Sequence, residues 1–348
     1  MKQLMVMVAV LAMVTGSAYG ADWNFYGSAR ITTFYTQTET IDSGASDDNQ
    51  YEQKLQSNSR IGAKVKVNDE LTARFEYGAS KGNANIRLLY GAWNFGGGTL
   101  VIGQDYSPLN WFHSHQAFDS DASLYRYGGV YSGRAAQLKL KFGGFQVALV
   151  PASNSITGVT PTSVETKLPA IEASYVFKLD KIALKLGGGY QTFEAGLGGG
   201  NEETISSYVL AVGAKGTFGN FYTAAHIYGG RNGGNLISMD TNGSRTWSAQ
   251  GIANLTATQV QDNDVLGGVI VAGWVLNDMF TFETGYGYAR EELDIDGSTK
   301  DEVLSYYLQS SIVLAPGVFI VPEIGRLNAK ESGQTDITYG GIKWQINF

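Results

Sequence analysis

The chain of 348 residues has no cysteine, which excludes a disulfide scaffold, thiol chemistry and Cys-ligated zinc. It has only 6 prolines and 3 histidines. It also lacks any run near the roughly 20 apolar residues that a membrane-spanning helix needs. The longest such stretch, Leu4 to Val14, covers about 11 residues, too few to span a bilayer as a helix. Positive charge is short as well: 25 Lys and Arg stand against 32 Asp and Glu, a net charge of −7. Nucleic-acid binding calls for a basic stripe, and this balance gives it no support. The mean hydropathy is that of a soluble protein, but a β-barrel hides its membrane signal in alternation, so the average excludes nothing.

What the chain does have is glycine, 45 residues, with 20 tyrosines and 16 phenylalanines, a composition that suits sheets with aromatic girdles. The last fourteen residues, TDITYGGIKWQINF, place Gly340, Ile342, Trp344, Ile346 and Phe348 on one face. Gly341, Lys343, Gln345 and Asn347 take the other. Period two is the signature of a strand between two media, here lipid and water. At the other end, Met1 and Lys2 precede the short apolar stretch, and Ala18-Tyr19-Gly20 offers small residues for a signal peptidase. Cleavage after Gly20 is expected, making 1–20 a signal peptide and 21–348 one mature domain with its net charge shifted to about −8.

Between these ends lie about sixteen alternating segments, each long enough for a tilted membrane strand. Tight connections carry turn chemistry at Asn68-Asp69, Gly96-Gly97-Gly98, Gly143-Gly144, Asp180, Gly219-Asn220, Asn277-Asp278 and Pro316-Gly317. Longer polar connections alternate with them: Thr40 to Gln56, Ser107 to Ser132, Ala152 to Leu168, Ala195 to Glu203, Gly229 to Gln261 and Glu291 to Lys300. The expected fold is all-β, a 16-stranded antiparallel transmembrane barrel with short periplasmic turns and long extracellular loops. Trp23, Phe95, Phe142, Phe218, Phe221, Trp274, Phe280 and Phe348 fall beside the turns or chain ends, where an interfacial girdle belongs.

Alternation assigns faces. The first strand sends Phe25, Gly27, Ala29 and Ile31 outward and Tyr26, Ser28, Arg30 and Thr32 inward. The second turns Ile61, Ala63, Val65 and Val67 to lipid and Arg60, Lys64 and Lys66 to the lumen. The third places Arg74 and Glu76 inside, and the fourth sends Ile86, Leu88, Tyr90 and Ala92 outward with Arg87 inside. An Arg or Lys facing mid-bilayer costs about 2–4 kcal/mol, so these parities are enforced.

The signal peptide, strand count, terminal Phe and long connection after the fifth strand together resemble the trimeric general porins of Gram-negative outer membranes. The nearest likeness is to the homotrimeric porins of sulfate-reducing bacteria. The resemblance covers the whole mature chain and rests on pattern more than on identity. It implies a passive general-diffusion pore for ions and small hydrophilic solutes and a homotrimer in contact with outer-membrane lipid and lipopolysaccharide; with His113, His115 and His226 the only histidines, no enzyme activity is expected. It implies that 107–132 folds into the lumen as a constriction loop carrying Asp119 and Asp121, with Asp105 just before it. The matching inward basic wall is Arg30, Arg60, Lys64, Arg74 and Arg87. Acid facing base across the narrows would give weak charge selectivity; each Arg could instead make only a lumenal salt bridge. The terminal strand, with Trp344, Ile346 and Phe348, resembles a barrel-insertion signal. Pairing with the first strand would bring the Ala21 amine near the Phe348 carboxylate.

Other readings compete. Trp111, Phe112, Tyr125, Tyr127 and Tyr131 could form a stacking track in a sugar-specific channel, or pack the loop against the wall. His113 and His115 on an extended segment share a side but find no evident third metal ligand. Asp42, Asp47 and Asp48 in the first loop suit calcium, or are simply a solvated acidic loop; otherwise no cofactor is expected. Gly187-Gly188-Gly189 precedes no helix and reads as strand curvature.

Overall fold

Strands that meet different media on their two faces need partners on both edges, and in lipid this requirement closes the sheet into a ring. The computed structural model describes residues 20–41, 48–80, 83–122, 124–197, 200–240, 250–331 and 334–348. The expected signal segment before Gly20 and the loop residues Asp42 and Asp47 lie outside the described residues. The first half comprises β1 (Asp22–Thr40), β2 (Asp48–Leu55), β3 (Arg60–Lys66), β4 (Leu71–Ser80), β5 (Asn83–Asn94), β6 (Thr99–Tyr106), β7 (Arg134–Phe142) and β8 (Phe145–Val150). Two short loop strands follow, β9 (Thr157–Gly158) and β10 (Val164–Glu165), and then β11 (Ala170–Leu179), β12 (Ile182–Gly196), β13 (Glu202–Phe218) and β14 (Phe221–Arg231). The last part holds the loop strands β15 (Asn254–Leu255) and β16 (Val260–Gln261), then β17 (Asn263–Val275), β18 (Phe280–Leu293), β19 (Lys300–Ala315), β20 (Val318–Ala329) and β21 (Thr335–Asn347).

β3 pairs with Asp22–Ser28 of β1 and β2 with Ile31–Thr38, so the two form one wall strand interrupted at residues 56–59. With the four loop strands set aside, the result is a closed 16-strand antiparallel barrel, sealed by β1 against β21. All seven expected tight turns join neighbouring antiparallel strands at one rim. The first long connection differs from expectation, because Asp48–Leu55 continues the wall as β2. Its side chains are exposed or half-exposed along the whole strand, so no apolar face marked it in the sequence.

The expected parities hold for the first three wall strands: Phe25, Ile31, Ile61 and Tyr77 are exposed on the outside, and Glu76 is buried within. In β5 they reverse partway. The register slips between Glu76 and Tyr77, which pair with Leu88 and Ile86 and leave Arg87 as a bulge residue. Ile86 and Arg87 keep the expected sides, but Leu88, opposite inward Glu76, is buried, and Tyr90 and Ala92 pair with the inward residues Arg74 and Thr72. Leu89 and Trp93 face lipid instead. An inserted residue inverts a period-two pattern, and nothing in the local composition announces it.

The largest buried cluster lies inside the barrel. Loop residues Leu109, Trp111, Phe118 and Tyr127 pack there with Phe34, Tyr228 and Tyr339 of the wall. A second segment also enters: Leu236, Ile237 and Met239, after β14, join the same cluster. β9, β15 and β16 pair into a small sheet that ties the loops after β8 and β14 together.

The seam sets the position of the chain end. Phe348 exchanges both backbone hydrogen bonds with Gly27, at 2.6 and 3.1 Å. This corrects the expected contact with Ala21, which lies six residues along β1, about 20 Å away at strand rise. The stagger of a tilted barrel places β3, rather than β21, beside the first residues of β1. Trp344, Ile346 and Phe348 face outward, and the Phe348 ring occupies the space a side chain on Gly27 would need. Gly27→Leu should therefore displace that ring and destabilise the seam by about 1–3 kcal/mol. The expected readout is a lower fraction of heat-modifiable folded barrel on refolding into detergent, with Ala29→Leu, on an exposed outer site, as the neutral control.

Candidate pore constriction

The segment between β6 and β7 leaves the wall at Ser107 and returns at Gly133, held at its neck by Asn110, which bonds Ser107, Ser132 and Gly133 at 2.9–3.0 Å. Within the lumen its backbone is pinned by three buried wall glutamates. Glu172 accepts from the Leu109 N–H at 3.0 Å, and Glu283 from His115 at 2.8 Å. Glu323 accepts from Ala117 and Phe118 at 2.5 and 3.0 Å. A carboxylate accepting amide hydrogens satisfies an extended backbone that has no strand partner.

Side chains complete the seat. Phe118 stacks on Tyr339 with ring centroids 3.8 Å apart. Trp111 lies against Gly187 and Gly213, where a Cβ would meet its ring, and Lys185 sits 4.9 Å from the ring centroid. A Cβ on Gly189 would meet Leu109. The glycine triplet is thus more than curvature: its inward members make room for the loop. Residues Asp119, Ser120 and Asp121 all adopt left-handed backbone, φ 50° to 65°, turning the loop sharply at the wall of β1.

That turn delivers Asp121 to two cations, Arg30 at 2.5 Å and Lys343 at 2.9 Å, with Gln56 and Asn58 at 3.0 and 3.1 Å. Burial pushes the Asp121 carboxyl up, but Lys343 and Arg30 outweigh it and hold the group below its usual value. Asp119 pairs with Arg126. On the wall, the single buried carboxylate of Glu76 serves Arg87 at 2.6 Å, Arg74 at 3.2 Å and Arg60 at 3.4 Å. Six cationic side chains, Arg30, Arg60, Arg87, Arg126, Arg134 and Lys343, stand against four carboxylates, Asp119, Asp121, Glu76 and Glu283, around this section.

Two lumenal cavities meet here. One of about 810 Å3 opens towards the long loops and is lined by Arg60, Arg87, Arg126 and Arg134 among others. The second, about 520 Å3, opens towards the short turns and includes Arg30, Glu283 and Lys343. Phe112, Asp121 and Tyr125 line both, so they flank the narrows.

The expected eyelet residues therefore divide. Arg30, Arg60, Arg87, Asp119 and Asp121 line the cavities. Lys64 and Arg74 are register partners about 13 Å lower on the wall. Asp105 is bound to Lys139 at 2.6 Å and lines neither cavity. The acid and base faces touch rather than oppose each other across open water, since the loop is pinned onto the wall that carries Arg30 and Lys343. Lys343, Arg126, Arg134 and the three glutamates were not singled out from sequence. The polar face of the last strand did contain Lys343.

Of the aromatic set, Trp111 and Tyr127 are buried and pack the loop, Tyr127 donating to Asp240 at 3.1 Å, whereas Phe112, Tyr125 and Tyr131 line the larger cavity. His113 and His115 go to different walls: the first contacts His226, ring nitrogens 2.9 Å apart, and the second Glu283 at 2.6 Å. Among the described residues no group of three or more potential ligands could hold a metal ion. Asp48 is exposed at the start of β2. The run Gly78-Ala79-Ser80-Lys81-Gly82 has the spacing of a nucleophile elbow, but it joins β4 to its antiparallel partner β5. An elbow needs a strand feeding a helix.

A closed barrel with an apolar exterior and a polar lumen narrowed by an inward loop is an outer-membrane channel in class. The model of the Gram-negative porin family matches residues 8–331, and the chain belongs to that family as an outer-membrane β-barrel porin. Among solved structures it is similar to the outer membrane channel DcaP of Acinetobacter baumannii, with 16% identity, TM-score 0.74, and 95% of this chain and 98% of that one covered. It is also similar to an anion-selective porin from Comamonas acidovorans (14%, 0.61, 94% and 100%) and to OmpT of Vibrio cholerae in its trimer form (15%, 0.60, 94% and 99%). At these identities the likeness is one of fold. No curated protein matches the chain.

Two outcomes test the pinning. Glu323→Ala removes the acceptor of two loop amides, worth about 1.5–3 kcal/mol per bond, and should raise single-channel conductance and open-channel noise. The bond from Glu283 holds the His115 ring above its ordinary pKa, with burial opposing it in part. The charged pair is therefore complete below about pH 6.5 and is lost as pH rises through the raised value. Loop amide exchange should quicken beyond its intrinsic pH trend as pH rises above about 6.5, and His115→Gln should abolish that step.

Proposed function

We propose that the protein is a passive diffusion porin with a weak preference for anions, assembled as a homotrimer, with residues 1–20 serving as its export signal. The observation that carries this reading is the surplus of cations at the narrows, where six stand against four carboxylates. One unit charge about 8 Å from a passing ion in water is worth roughly 0.5 kcal/mol, and a Debye length of about 10 Å at 0.1 M salt roughly halves it. A surplus of two then favours anions by about 0.5 kcal/mol, or roughly twofold. That is a bias and not a filter, so size dominates the choice of solute. The trimeric form of a structural neighbour supports self-association, and the apolar outer belt suits lipid and lipopolysaccharide contact.

Planar-bilayer recording decides the matter. Purified folded protein should give stepwise current with a reversal potential on the anion side under a salt gradient; absence of current or a cation-side potential overturns the reading. Arg60→Glu, at the narrows, should move the potential towards cations more than Arg74→Glu lower on the wall. Native mass in mild detergent is expected at three chains.

A further inference from the structure

Phe112 is 48% exposed, yet it points into the lumen and lines both cavities at the narrows. Many other large apolar exposures, such as Phe25, Leu210 and Ile227, face lipid. An aromatic face offered to pore water is a cost that packing does not explain. The ring is also held. Tyr106 meets it edge-on at 4.9 Å, and Tyr125 and Tyr131, themselves stacked 4.2 Å apart, close in at 5.9 and 6.3 Å. These contacts fix its orientation.

Positive charge shares the same cavity. The Arg134 guanidinium lies 5.5 Å from the Tyr106 ring centroid and donates to that hydroxyl at 3.4 Å. Among the described residues it makes no ion pair with a carboxylate. Arg87 and Arg60 stand beside it with only Glu76 between them. The acids of this lining, Asp119 and Asp121, are each bound to cations of their own.

We propose that the narrows form a binding subsite for small organic anions with a flat apolar face, aromatic or conjugated carboxylates being the chemical class. The proposal rests on the anion-preferring porin reading. The planar face lies on Phe112 while the carboxylate meets Arg134, with Arg87 and Arg60 adding charge. An inorganic anion or acetate uses only the arginines and a sugar only the ring. A cavity of about 810 Å3 admits a one-ring acid together with water. Because the ring and its neighbours are already packed in place, little ordering opposes binding.

The test is block of single-channel current by benzoate, cyclohexanecarboxylate, acetate and glucose, with dissociation constants taken from blocking kinetics. Benzoate should bind at least about tenfold more tightly than acetate, which corresponds to roughly 1.4 kcal/mol, with cyclohexanecarboxylate between them and glucose inert. Phe112→Ala should collapse the benzoate-to-acetate ratio towards one, and Phe112→Tyr should retain it. Arg134→Gln should weaken both acids while leaving their ratio largely in place. Equal block by the two acids, a ratio indifferent to Phe112→Ala, or block by glucose overturns the subsite. A channel that conducts with an anion-side reversal potential but shows no benzoate preference defeats this proposal and leaves the porin reading intact; an absence of current defeats both.

Discussion

Everything in this molecule depends on the seam between β1 and β21. In a bilayer an unpaired strand edge has no water to satisfy it, so the ring must close or not form at all. Thirteen residue pairs, from Ser28↔Asn347 to Thr40↔Thr335, make that closure, and its stagger sets strand tilt and hence the width of the lumen. The Phe348 ring lies over Gly27, which has no side chain to oppose it.

A lumen that wide cannot be filled by wall side chains alone, and here the chain fills it with loop. The physical problem is an inward backbone with no ladder to join. Glu172, Glu283 and Glu323 solve it by presenting carboxylates to loop amides, while glycines on β12 and β13 clear space for Leu109 and Trp111. The same carboxylates leave fewer acids free to offset the wall cations. The channel's electrostatics therefore follow from how its loop is anchored: Asp121 is consumed by Arg30 and Lys343, and the surplus charge gathers around Arg60, Arg87 and Arg134.

The tight turns and the first three wall strands were legible because each is local: Asn68-Asp69 or Pro316-Gly317 carries its own turn chemistry, and Ile61 and Arg60 sort by the cost of charge in lipid. β2 was not legible, being polar on both faces, and Arg87 reversed the outer strand pattern through one inserted residue that composition does not mark. In the narrows, Arg30 and Asp121 could be named from position and likeness, but Lys343 could not be joined to them, lying 222 positions from Asp121.

By itself the sequence determined a membrane-facing period of two, the hairpin count, and a long acidic and aromatic segment at the place where such barrels turn a loop inward. These are properties of neighbours along the chain, and alternation against a bilayer enforces them. Only the tertiary structure decided that Phe348 meets Gly27 and not Ala21, that a second segment joins the loop in the lumen, and which cations pair with which acids. Each of these turns on stagger around a closed ring, which brings residues 200 or more positions apart within a few ångströms and which no local pattern encodes.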